Sequence, residues 1–140
     1  MRNITVGIGV LFVCIGAVNA ADRDLARVEA ADHDPLFVDR PSIQRSGSTV
    51  RFNYVLDVRA AAERRDVPEG WKSNEIEATI DCAGNTVSIG RITARTGPRA
   101  TGSVTGIYSP TAAERKPEKI VPGSTPAYLA AFVCAPSDRH

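Results

Sequence analysis

Glu75-Ile76-Glu77-Ala78-Thr79-Ile80-Asp81-Cys82 alternates polar and apolar residues without a slip. Successive side chains of a strand point to opposite faces, so Ile76, Ala78, Ile80 and Cys82 look one way and Glu75, Glu77, Thr79 and Asp81 the other. The stretch reads as a half-buried strand. Its last residue is a cysteine, which makes this strand the expected place where the fold is stapled.

Thr49 to Arg59 repeats the pattern, with Val50, Phe52, Tyr54, Leu56 and Val58 on one face and Arg51, Asn53, Asp57 and Arg59 on the other. Only Val55 interrupts the polar side. Two such strands predict an antiparallel sheet with one wet face. Ala83-Gly84 then leads into Asn85 to Ala94 with the spacing of a hairpin. Val87 and Ile89 keep one phase and Ile92 and Ala94 the other, so Gly90 marks a bulge. After the Gly97-Pro98 turn, Thr101 to Tyr108 is a glycine-softened strand with Val104 and Tyr108 read as inward.

Upstream, Leu36-Phe37-Val38 is a short strand ending at the turn Asp39-Arg40-Pro41-Ser42-Ile43. There Pro41 presets φ, and the Asp39 and Ser42 side chains can bond nearby amides. Ser46-Gly47-Ser48 is a second turn, leaving Ile43 to Arg45 as a bend or a very short strand. Ala21 to Ala31 is a helical turn or an extended lead-in. Ala60 to Lys72 and Pro110 to Lys119 read as polar loops. Thr125-Pro126 is a helix N-cap followed by proline at the first helical position. Leu129, Phe132 and Val133 then form a helical stripe that Cys134 ends and Pro136 stops. The expected class is α+β: a mainly antiparallel meander with a short C-terminal helix packed on its apolar face.

The first twenty residues read as a signal peptide. Arg2 precedes an apolar run from Ile4 to Val18, and Val18-Asn19-Ala20 supplies the small residues of a cleavage site. The run is shorter than the roughly 20 residues a membrane span needs. Bulky Val13 before Cys14 argues against a lipid anchor. Residues 21–35 are then a lead-in and 36–140 a single domain. Cleavage removes Arg2, so 17 basic and 16 acidic residues become 16 and 16. A neutral domain lacks the field that draws phosphate backbones, which excludes nucleic acid as the expected partner. A mature chain of this size buries about two-thirds of its unfolded surface. Cleavage also removes Cys14, leaving Cys82 and Cys134, most simply a disulfide in an exported chain.

No residue set converges on catalysis, and neither cofactor nor metal is expected. Ser124 follows a glycine but lacks the strand-to-helix setting of a nucleophile elbow, and helix capping explains it. Asp32-His33-Asp34 reads as a solvated acidic loop rather than an ion site. Asp81 beside Cys82 has no thiol to tune if that cysteine is bridged. Trp71 with Arg64, Arg65 and Lys72 is the candidate partner contact, because basic residues beside a tryptophan suit protein recognition. The rival account is that Trp71 caps the apolar face while the arginines solvate the surface. Arg91, Arg95 and Arg99 cluster near the next turn.

Taken in order, the Asp39–Ile43 turn, the strand from Val50, Lys72-Ser73, Ile80-Asp81-Cys82-Ala83, Pro122-Gly123-Ser124 and Cys134-Ala135 resemble the surface-adhesin protein E family. The likeness runs from about Phe37 to Ala135, and its motifs are structural. It implies a mainly antiparallel sheet with helix, the Cys82–Cys134 bridge, no enzyme activity and an exported domain of a Gram-negative bacterium. The family's namesake is an adhesin for host extracellular-matrix proteins. Two features depart from the pattern: no small residue precedes Cys14, and Thr93-Ala94-Arg95-Thr96-Gly97 lacks the aromatics usual there. The resulting expectation is a non-catalytic envelope domain binding a protein partner, placed in the periplasm, on the cell surface or secreted. The alternative is a periplasmic inhibitor or assembly factor acting on another envelope protein.

Overall fold

The computed structural model describes residues 23–30, 34–58 and 70–136. The stretch read as a signal peptide, with Cys14, Asp32, His33, Arg64 and Arg65, lies outside the described residues, as does most of the segment read as a loop ending at Lys72. The described strands are β1 (Leu25–Val28), β2 (Leu36–Asp39), β3 (Gln44–Ser46), β4 (Thr49–Asp57), β5 (Ser73–Asp81), β6 (Thr86–Arg95), β7 (Val104–Tyr108) and β8 (Glu118–Lys119), followed by the helix α1 (Thr125–Val133). All strand pairs are antiparallel, in the order β1-β2-β4-β5-β6-β7, with β3 added to β4 and β8 to β6. The expected meander is therefore present, with the extended option realised at β1.

The pairing of β4 with β5 is set by their two alternations. Nine residue pairs run from Thr49 opposite Asp81 to Asp57 opposite Ser73, which brings Phe52 against Ala78 and Val50 against Ile80. A one-residue slip would turn every one of these apolar groups to the wet face. Along the other edge of β4, residues 36–46 form one run broken by a single 3-10 turn, Arg40–Ser42. Ser42 mends the break: its hydroxyl accepts from Asn53 N–H at 2.8 Å and donates to Asp39 O at 2.6 Å. Between β5 and β6 the bulge falls where Gly90 marks it. Ile76 opposes Ile92 and Ala78 opposes Ile89, so Glu77 faces both Gly90 and Arg91 and accepts Arg91 N–H at 3.0 Å.

Val50, Phe52, Tyr54, Ile76, Ala78 and Ile80 form the floor of the main core, and Leu129 and Val133 of α1 its roof. Burial pushes the Tyr54 hydroxyl up to about 12, so it stays neutral there. The Cys82–Cys134 disulfide closes one end with its Cα atoms 5.7 Å apart. Beside it, Arg45 Nη1 donates to Val133 O at 2.6 Å, placing a cation on the last carbonyls of the helix.

Three local readings are corrected. Val104 and Tyr108 do not face inward: they are 47% and 51% exposed, and all of β7 is open to solvent. A register shift between Ala94 and Arg95 puts Val104 opposite Arg95 on the polar face and Tyr108 opposite Ile92 on the apolar one. The strand stands at the sheet margin, where its apolar groups meet no roof. The N-cap is Ser124 rather than Thr125. Its hydroxyl makes no cap bond and instead donates to Val121 O at 2.5 Å. Val55 is a core residue of its own, buried on the polar face under Phe37 and Ala100.

Candidate functional site

The face opposite the helix carries the chemistry. Because β5 presents Glu75 and Glu77 there, its neighbours in register set what surrounds them. Arg51 and Asn53 come from β4, and Arg91, Thr93 and Arg95 from β6. Arg23 enters from the lead into β1. Each glutamate sits between two guanidiniums. Glu75 Oε2 lies 2.9 Å from Arg23 Nη1 and 3.7 Å from Arg95 Nε, and Glu77 Oε1 lies 3.7 Å from Arg51 Nη2 and 3.6 Å from Arg91 Nη2. The buried Arg23 Nη1 and Arg95 Nε are in ion-pair range of Glu75 without a hydrogen bond, Arg95 Nε being too distant for one. Four arginines face Glu75 and Glu77, with the Asp39 carboxyl also within electrostatic reach of Arg23 and Glu75, so the patch keeps a modest positive excess although the whole chain is close to neutral.

Shallow depressions mark the face. One of about 260 Å³ lies among Arg51, Thr79, Ser88 and Arg115, and a smaller one of about 130 Å³ among Asn53, Glu75, Arg91 and Arg95. A larger cleft of about 460 Å³ opens at the corner, lined by Leu25, Phe37, Asp57 and Arg99 among others. There the Arg99 guanidinium lies 5.4 Å from the Phe37 ring centroid, a cation–π contact, and the backbone N–H of Arg99 donates to Asp57 Oδ1 at 2.7 Å. Asp39, on the neighbouring strand, is raised by burial, with Arg23 opposing the shift.

The corner is held by Ser73, buried at the start of β5. Its hydroxyl donates to Gly97 O at 2.6 Å and accepts Ala100 N–H at 3.0 Å, drawing Ala100 over Val55. Arg99 and Ala100 both take positive φ to make that approach. At the opposite end Asp81 organises the β5–β6 turn. It accepts from Gly84 N–H and Ala83 N–H at 3.1 Å and from the Ser48 hydroxyl at 2.9 Å, and these bonds hold its carboxyl below the usual carboxylate range, the one from Gly84 most.

Of the four residues read as a partner contact, Trp71 and Lys72 are described. Trp71 is half-buried and pinned, its indole N–H shared between Asn74 Oδ1 at 2.8 Å and Ser73 O at 3.1 Å, while Lys72 is exposed. Arg91 and Arg95 lie on the charged face and Arg99 over Phe37, so three arginines that cluster near one turn in sequence are divided between two places. Arg23 and Arg115 were missed. No local pattern singles them out, because each reaches the face through tertiary packing. Ser73 was quoted only as part of a motif, and its place as the first residue of an alternating strand was the available signal.

The sequence profile of surface-adhesin protein E matches residues 25–135. No curated protein matches the sequence. Solved structures that share the fold include two of Haemophilus influenzae protein E. Haemophilus influenzae protein E in its second crystal form is 16% identical with a TM-score of 0.58, over 78% of this chain and 87% of that one. Protein E from non-typeable Haemophilus influenzae is 15% identical with a TM-score of 0.56, over 79% and 75%. With the profile spanning most of its length, the chain belongs to the surface-adhesin protein E family.

Proposed function

We propose that the mature chain is a non-catalytic adhesion module of the bacterial envelope, and that it binds a protein partner, a host extracellular-matrix protein being the one its family suggests. Family membership carries this reading. The open, ion-paired face of the sheet supports it, because groups held rigidly before contact lose little entropy on binding. Trp71 and Lys72, which lead into β5, are a second proposed contact region, to which the sequence reading adds Arg64 and Arg65. Export belongs to the same proposal: a signal peptide is cleaved after Ala20, and among the described residues no helix is long and apolar enough to cross a membrane.

Intact mass of the exported protein should place Ala21 first, and a retained or acylated Cys14 would refute that processing. Labelling of intact cells followed by crosslinking and identification of the captured partner tests the rest. Labelled protein joined to a matrix protein is the expected result. Protein shielded from the label and crosslinked to another envelope component would overturn adhesion in favour of a periplasmic inhibitor or assembly factor.

A further inference from the structure

The charged face is patterned as well as positive. Glu75 and Glu77 are two residues apart on one strand, so the two arginine–glutamate–arginine clusters repeat at about 6.6–6.8 Å. An extended peptide repeats its same-side groups at the same spacing. Each guanidinium carries five N–H donors, and the contact to its glutamate engages one nitrogen. The glutamates thus orient the guanidiniums while neutralising only part of their charge, and Asp39 adds a carboxylate near Arg23.

Apolar surface borders the clusters. Across the sheet Glu75 opposes Thr93, and Thr93 opposes Ile107, which is 62% exposed on this same face. Val104 lies beside it, opposite Arg95. A row of arginines flanked by exposed aliphatic side chains suits a chain that brings both carboxylates and apolar groups. A polyanion with charge alone would leave Ile107 and Val104 uncovered. The loop at Arg115 borders the far side, where Ser88 donates to Arg115 O at 2.5 Å.

We infer that this face binds an extended acidic segment of a partner protein, with carboxylates at alternate positions meeting the Arg51–Arg91 and Arg23–Arg95 pairs and an apolar residue covering Ile107. The inference rests on the adhesion-module reading and gives its partner a chemistry.

The test uses the purified exported protein and two fluorescein-labelled decapeptides of one composition, the first with glutamates at alternate positions and a leucine at the next position on the same side of the extended chain, the second with its glutamates in a block. Anisotropy at low salt should show the alternating peptide binding about tenfold more tightly, with affinity falling as salt screens the ion pairs. Arg51→Gln with Arg91→Gln, both at exposed side chains, should weaken it by at least about tenfold, since each removes a donor set from the face. Ile107→Ser should weaken it several-fold. Arg40→Gln, which removes a positive charge outside the two depressions on this face, should change nothing. Circular dichroism of each variant shows whether the fold is kept. Equal affinity for the two isomers, or heparin binding that ignores Ile107→Ser, would reduce the face to a general polyanion field and overturn the inference. So would no binding of either peptide. A matrix partner captured on intact cells alongside such a failure would leave the adhesion reading standing and this one lost.

Discussion

Ser73 is a hydroxyl sealed inside a sheet, and it is kept there by two bonds rather than by water. Losing the side-chain oxygen leaves Gly97 O without its donor and Ala100 N–H without its acceptor, in a place where the amide is buried. Ser73→Ala should therefore cost about 1–3 kcal/mol, the penalty of an unsatisfied buried polar group, more than the loss of one neutral bond would suggest. Urea unfolding measures it, and an unchanged midpoint would mean the corner does not depend on this hydroxyl. Asp81 makes the complementary case at the surface. Its folded pKa lies below the ordinary value because Gly84 N–H, the Ser48 hydroxyl and Ala83 N–H bond the ionised form. The stabilisation it gives is full above about pH 3.9, the ordinary value of an aspartate, and is lost as pH falls through its own lower pKa. Asp81→Asn should fall short of the parent in stability near neutrality and draw level in strong acid. A carbon-detected titration placing the Asp81 carboxyl at or above its ordinary value would contradict this. In the sequence Asp81 is legible as a polar position of an alternating strand beside Cys82, and Ser73 only as part of the Lys72-Ser73 motif, because what they bond depends on turns whose geometry the alternation does not encode.

At the scale of elements, period-2 alternation carried most of the fold. It placed β4 and β5 in phase, and its single exception, Val55, marked a second small core that was read as a blemish. The paired substitutions Phe52→Ala and Arg51→Ala separate the two faces of β4. Phe52 is fully buried and should cost about 3–5 kcal/mol. Arg51 is exposed, and its long contact to Glu77 should keep the change within about 0.5 kcal/mol. Thermal or denaturant unfolding of the two variants decides it, and similar losses from both would mean that the burial of β4 has been misjudged. Alternation failed at β7 for a physical reason. It assumes an unbroken register and something to pack on, and β7 has neither: the bulge at Ala94/Arg95 splits Val104 from Tyr108, and the margin of the sheet lies bare. Tyr108 spends its hydroxyl on Glu114 instead, tying the edge strand to the following loop.

Across the whole molecule, the cysteines linked what alternation could not. Strand phases say which side of the sheet is apolar, but not where along it a helix lies. Cys82 directly follows β5 and Cys134 caps α1, so a bridge between them places the C-terminus of the helix at that end of β5. Leu129 and Val133 then fall on the floor made by Phe52, Ile76 and Ile80. The charged face stayed half legible. Arg51 and the two glutamates follow from phase, whereas Arg23 and Arg115 reach the face from distant segments, which no single-strand pattern reports. The bond spans 52 positions, and in the chain-entropy account a closed loop of that length removes about 4 kcal/mol of freedom from the unfolded state. A double Cys82→Ser, Cys134→Ser variant should lose stability of that order while keeping its helix seated, since Arg45 still holds Val133 O and the apolar contacts of Leu129 and Val133 remain. Guanidinium unfolding gives the first quantity, and hydrogen exchange at the α1 amides the second. A lowered midpoint with exchange protection of α1 tracking the global stability is the expected outcome. Loss of α1 protection in an otherwise folded sheet would show that the bridge, and not the packing, positions the helix.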